Sequence, residues 1–217
     1  KPMKKIAAVL TAFLLTASLA ACGAKEAPAE EAPVSDNETQ QETAAEETEI
    51  PSVQPETDSG KKLVVYFSCT GHTKDIAEKI ADITGADLYE IKAAQEYTSD
   101  DLNWHDENSR TTHEQNDPDA RPEIGSEPLS LEGFDTIYIG HPIWWGEQPR
   151  IMDTFVESYD FGNITMIPFC TSASSPAGNS GKNLAEHAGS GNWLDATRFA
   201  PGTSAEELRE WIGSLKQ

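Results

Sequence analysis

The run Leu63-Val64-Val65-Tyr66-Phe67 constrains the fold more than any other stretch. A strand wetted on one face alternates apolar and polar residues. Five apolar, β-prone residues in a row fit a strand covered on both faces. Such a strand needs helices above and below it, and a helical pattern follows. After the polar turn Ser68–Thr73, the residues Ile76, Ala77, Ile80 and Ile83 recur at helical spacing, and Gly85 stands where a helix stops.

The alternation continues along the chain. Asp87 to Ile91 reads as a second strand and Asp135 to Gly140 as a third. Pro149, a good first-turn residue, precedes a helix containing Ile151 and Phe155. Ile164 to Phe169 reads as a buried strand, 180–188 as a helix around Leu184, and Ala196 to Phe199 as a weak last strand. Ser204 with Glu207 fits a capping box, opening a helix with Leu208, Trp211, Ile212 and Leu215 on its apolar stripe. About five strand–helix alternations predict an α/β fold, a parallel sheet covered on both faces. Right-handed crossovers then gather the loops after the strands on one edge, where ligands bind. Residues 92–130 interrupt the pattern. They are polar, with Tyr97, Trp104, two histidines and three prolines, and are expected to run over the ligand edge without structure of their own.

The first 60 residues read differently. Lys4 and Lys5 precede a short apolar run, and Leu19-Ala20-Ala21-Cys22 resembles a bacterial lipoprotein cleavage signal. Residues 1–22 are thus expected to be a lipoprotein signal peptide. Diacylglycerol on Cys22 would anchor the chain to the outer face of the cell membrane, lipid-anchored and extracytoplasmic. An ordinary signal peptide with a chance cysteine is the alternative. Residues 23–60 carry eleven acidic side chains against Lys25 alone and almost no aliphatic ones. They are expected to form a disordered acidic tether, with 61–217 as the folded domain. The domain too is acidic, with 26 Asp and Glu against 12 Lys and Arg. That balance repels phosphate backbones, excludes nucleic acid as a partner and favours a protein with a basic face.

The segment with the most chemistry is Ser68-Cys69-Thr70-Gly71-His72-Thr73. Three hydroxyls can donate to phosphate oxygens, and Gly71 lets backbone amides close on an anion at a helix start. No lysine marks it as a Walker loop, and no Gly-x-Gly-x-x-Gly marks a dinucleotide site. A Ser/Thr-rich turn that merely caps a helix would look similar. Cys69 and Cys170 lack the partners of a nucleophile and read as structural. His105, His113, His141 and His187 show no metal-ligand spacing.

The hexamer resembles the flavodoxin pattern Ser/Thr-x-Thr-Gly-x-Thr, and the other elements match that family in order across most of residues 61–217. The closest resemblance is to members with a long insert after the second strand. It is carried by Tyr97…Asp100-Asp101-Leu102…Trp104 and by Gly140-His141-Pro142-Ile143-Trp144-Trp145-Gly146. The resemblance implies a flavodoxin-like three-layer sandwich with a five-stranded parallel sheet, order 2-1-3-4-5, and FMN as cofactor. It assigns Ser68, Cys69, Thr70, Gly71, His72 and Thr73 to the phosphate. Pro142, Ile143, Trp144, Trp145 and Gly146 go to one ring face and its N5 edge, with Trp144 the expected stacker and one of the two tryptophans packing inward. Thr171, Ser172, Ala173 and Ser174 go to the pyrimidine side. Flavodoxins often set a tyrosine against the second ring face, but none occurs between 171 and 180, which leaves that face to Tyr97 or Trp104. The resemblance implies electron transfer to a redox partner. An FMN-dependent NAD(P)H:quinone or flavin reductase and a non-redox binding module on the same fold are the alternatives.

Overall fold

The structure is a computed structural model that describes residues 60–215. The expected signal peptide, Cys22 and all of the expected tether except Gly60 lie outside the described residues. Among the described residues, no helix is long and apolar enough to cross a membrane.

Strand β1 (Lys61–Phe67) is the spine of the sheet. Its side chains alternate between two cores, which explains why its sequence does not alternate. Leu63, Val65 and Phe67 enter one core with Ile91, Ile137 and Ile139. Val64 and Tyr66 enter the other with Ile76, Ile80 and Tyr138. Helices α1 (His72–Thr84) and α5 (Ala205–Ser214) cover the second core, while α3 (Arg150–Glu157) and α4 (Ser180–Ala188) cover the first. Each such side chain stabilises the fold by roughly 1.5–3 kcal/mol relative to exposure. Helix α1 stops at Gly85 in the left-handed conformation, and α5 starts with the expected capping box of Ser204 and Glu207.

The strands β2 (Asp87–Ile91), β1, β3 (Phe134–Pro142) and β4 (Thr165–Thr171) are parallel and lie in that order, with β5 (Asn192–Trp193) outermost. The expected order 2-1-3-4-5 holds. The fifth position is filled by two pieces rather than the single strand expected over 196–199, because β6 (Thr197–Phe199) also pairs with β4. Pro168 explains the break. The Leu194 amide donates to Met166 O at 2.9 Å, and the next rung would need an N–H from residue 168, which proline lacks.

The insert is also more ordered than its composition suggested. Its two ends pair antiparallel at a neck, with Gly125 N–H donating to Lys92 O and Ala94 N–H to Glu123 O, both at 2.8 Å. A short helix, α2 (Arg110–Asn116), lies between them, capped by Ser109. Its buried face is Thr111, Thr112 and Gln115. A polar buried face leaves no hydrophobic periodicity to read, and so the helix is invisible in the sequence.

Candidate functional site

The loops after β1, β3 and β4 surround a cavity of about 600 Å³ at the C-terminal edge of the sheet. Ser68, Cys69, Thr70 and Thr73 form one wall. Gly71 caps α1 with φ +85, a conformation that side-chain-bearing residues resist, and its N–H donates to Ser68 Oγ at 3.1 Å. The amides of Thr70, His72, Thr73 and Lys74 have no acceptor among the described residues. Free amides at a helix start make an anion cradle. Thr73 is buried, and its Oγ1 shares a 2.7 Å hydrogen bond with Thr171 Oγ1. When Thr171 donates, the Thr73 proton is free for the cavity. Thr171 therefore acts beneath the wall. The His72 side chain is exposed and does not line the cavity; only its amide belongs to the cradle.

The second wall is the loop after β3. Pro142, Ile143, Trp144 and Trp145 line the cavity, while Gly146 does not. Trp144 and Glu147 exchange two backbone hydrogen bonds, at 2.9 and 3.0 Å. The residues between them both have positive φ, +49 at Trp145 and +87 at Gly146, the pattern of a type I′ turn. Among the described residues Trp145 is the one non-glycine with positive φ. The two tryptophans divide the labour differently from expectation. Trp144 packs edge-on against Phe67 and Tyr97, with ring centroids at 5.7 and 5.5 Å. Trp145 is 46% exposed and is the ring presented to the cavity with least restraint.

Ser172, Ala173, Ser174 and Ser175 complete the third side. Arg198 holds them from β6: Nη2 donates to Ser172 O at 2.6 Å and to Ala173 O at 2.7 Å, and Nε donates to Ser172 Oγ at 3.1 Å. With these carbonyls turned to Arg198, the carbonyl side of this loop is fixed. No sequence signal marked Arg198, because the partners are brought together only by the β4–β6 pairing.

The insert closes the remaining side with Leu102, Trp104 and Thr111. Trp104 is 67% exposed and stacks on His105. Tyr97, the other candidate for a second ring face, is turned inward. Its hydroxyl donates to Glu114 at 2.7 Å and the Arg110 guanidinium lies 4.0 Å above its ring. Of the two, Trp104 alone is placed for that role.

The titratable groups here are tuned for structure. Burial pushes the Cys69 and Cys170 thiols up to about 12, so neither is a nucleophile at neutral pH. His141, fully buried at the base of the second wall, is pushed down to about 4 by desolvation. Its Nδ1–H donates to Pro142 O at 3.0 Å, and Nε2 has no partner among the described residues. Among the described residues no group of three potential ligands could hold a metal ion.

Taken together the cavity suits a ligand with an anionic tail at α1, a flat apolar body between tryptophans and a polar ring edge against Ser172–Ser175. The sequence pattern described as Flavodoxin matches residues 61–215. The chain belongs to the flavodoxin family. Two similar solved structures are candidate flavoproteins from Bacteroides. The one from Bacteroides uniformis is 45% identical with a TM-score of 0.68, covering 71% of this chain and 98% of its own. The one from Bacteroides eggerthii is 40% identical with a TM-score of 0.68, covering 73% of this chain and 99% of its own. A flavoprotein from Lactobacillus acidophilus, solved in complex with FMN, is 25% identical with a TM-score of 0.54 over 71% of this chain and 99% of its own. No curated protein matches this flavodoxin-family chain.

Proposed function

We propose that this flavodoxin-family protein binds FMN and serves as an electron carrier held at the outer face of the cell membrane. The observation that supports this best is the pairing of free amides at the start of α1 with an aromatic cavity at the same sheet edge. The distribution of groups fits FMN in kind: anion donors at one end, Trp145 and Trp104 at the middle, and a serine-rich loop for the ring edge. FMN supplies the redox chemistry, and the protein supplies binding, orientation and field.

The residues have distinct parts. Ser68, Thr70, Gly71 and the amide of His72 would hold the phosphate. Trp145 would cover one ring face and Trp104 the other. Arg198 orients the loop that meets the pyrimidine side. The acidic domain disfavours added negative charge at the ring and lowers the reduction potential. The same charge selects a redox partner with a basic docking face. Lipid on Cys22 and the acidic segment after it would keep the domain near the membrane yet free to reach that partner.

Purified protein should be yellow, should release FMN on heating and should rebind it one to one. A colourless protein that takes up no added FMN would overturn the reading. A second reading, an FMN-dependent NAD(P)H:quinone or flavin reductase, draws support from the insert, which adds Leu102 and Thr111 to the cavity wall. Steady NAD(P)H oxidation by the FMN-loaded protein would favour it over the carrier.

A further inference from the structure

We infer that Gln115, on the insert helix α2, is a positioning residue of the ring site, clamping both ends of the turn that carries Trp145. Its consequence for the cofactor rests on the FMN reading above; its geometry does not.

Trp145 sits at φ +49, and a side-chain-bearing residue holds the left-handed region only when its surroundings enforce it. Two bonds inside the turn contribute, between the backbones of Trp144 and Glu147. Two more come from outside. Gln115 Nε2 donates to Trp144 O at 3.2 Å and to Gln148 O at 3.3 Å, so one amide grips the residue entering the turn and the residue just past it. The amide orientation is fixed by chemistry: turned over, its oxygen would face two carbonyls. Gln115 is buried; its bond to Gln148 O is made away from water and its bond to Trp144 O is partly shielded.

The grip is returned through the main chain. Arg150 Nη2 donates to the backbone oxygen of Gln115 at 3.1 Å and to Glu147 Oε2 at 3.3 Å. The end of α2 and the end of the turn thus share one guanidinium. Arg150 in turn lies 3.5 Å from the buried Asp153, which also accepts from Gln148 Nε2 at 2.8 Å. Gln115 Oε1 has no partner among the described residues. A residue kept only to pack α2 would avoid an unmatched buried oxygen. The side chain is explained by its two donated bonds, and both end on the ring loop. The insert is therefore a buttress of the turn it touches.

The test uses the full chain and compares wild type with Gln115→Met, Gln115→Asn and Ser109→Ala. Methionine keeps the length and removes the donors. Asparagine keeps the amide but is too short to reach both carbonyls. Ser109→Ala weakens the cap of the same helix and leaves Gln115 intact. Amide exchange at Trp144 and Glu147 is measured without cofactor, and the FMN dissociation constant by flavin fluorescence. Both Gln115 variants should exchange about tenfold faster at those amides and bind FMN about tenfold more weakly. Ser109→Ala should leave both within about threefold while lowering the melting temperature comparably. Unchanged exchange at the turn in both Gln115 variants, or equal effects from Ser109→Ala, would overturn the clamp. Faster exchange with unchanged FMN affinity would overturn its role at the ring site. If wild type binds no FMN, the cofactor reading fails, and the exchange measurement still decides the clamp.

Discussion

His141 should make the protein lose stability in mild acid, by an amount the structure sets. The side chain is fully buried, its Nδ1–H is committed to Pro142 O, and Nε2 faces no acceptor among the described residues. Protonation would place an unpaired charge in the core, which is why its pKa falls from 6.5 to about 4. The unfolded chain takes up the proton near pH 6.5, whereas the native chain resists until about 4. Between these values the unfolded state binds more protons, so stability is full above the window and falls as pH falls through it. At about 1.4 kcal/mol per pH unit over roughly 2.5 units, the loss is about 3 kcal/mol, a large share of a typical domain's stability. Urea unfolding followed by tryptophan fluorescence from pH 7 to 4.5 would measure it, comparing wild type with His141→Asn. Asparagine keeps a donor for Pro142 O and does not titrate. Carboxylates such as Glu157, held low by Arg121, act in both proteins and cancel in the difference. Wild type should lose about 1 kcal/mol more per pH unit near pH 5 than the variant. Parallel curves, or a native His141 ring titrating near its ordinary value by NMR, would refute the reasoning.

Other substitutions separate structure from site. Gly140→Ala would put a Cβ 2.1 Å from Phe169 Cζ, inside a fully buried contact, and should cost about 3 kcal/mol or more in a urea titration. Adding Phe169→Leu should recover part of it. Trp144→Ala should destabilise the apo protein by about 2–3 kcal/mol because its ring packs on Phe67 and Tyr97. Trp145→Ala should instead leave the melting temperature nearly unchanged and weaken FMN binding; equal stability losses would contradict the division. Trp104→Ala with unchanged FMN affinity would count against its covering the second ring face. Arg198→Met should release the Ser172 and Ala173 carbonyls and weaken FMN binding by about 2 kcal/mol, read from dissociation constants. Swapping several acids of the domain for neutral residues should raise the reduction potential, and an unchanged redox titration would refute the electrostatic account.

Local chemistry determined what the sequence could show. The unbroken apolar run of β1 required cover on both faces, and helical spacing after the hydroxyl-rich turn placed a candidate anion site at the start of α1. The capping box at Ser204 and the helix after Pro149 follow from near neighbours in the chain, whereas the order of the strands was expected only from the family resemblance. Contacts between distant residues were decided only by the tertiary structure. Which of the two cavity tryptophans is packed and which is left open depends on Phe67 and Tyr97, far away in sequence. The split fifth strand depends on one proline meeting its partner across the sheet. Helix α2, Gln115 and Arg198 gave no pattern, because their stabilisation comes from hydrogen bonds to residues 25 to 35 positions away. Periodicity records which face of an element is apolar; it carries no trace of a polar side chain whose partner arrives from another loop.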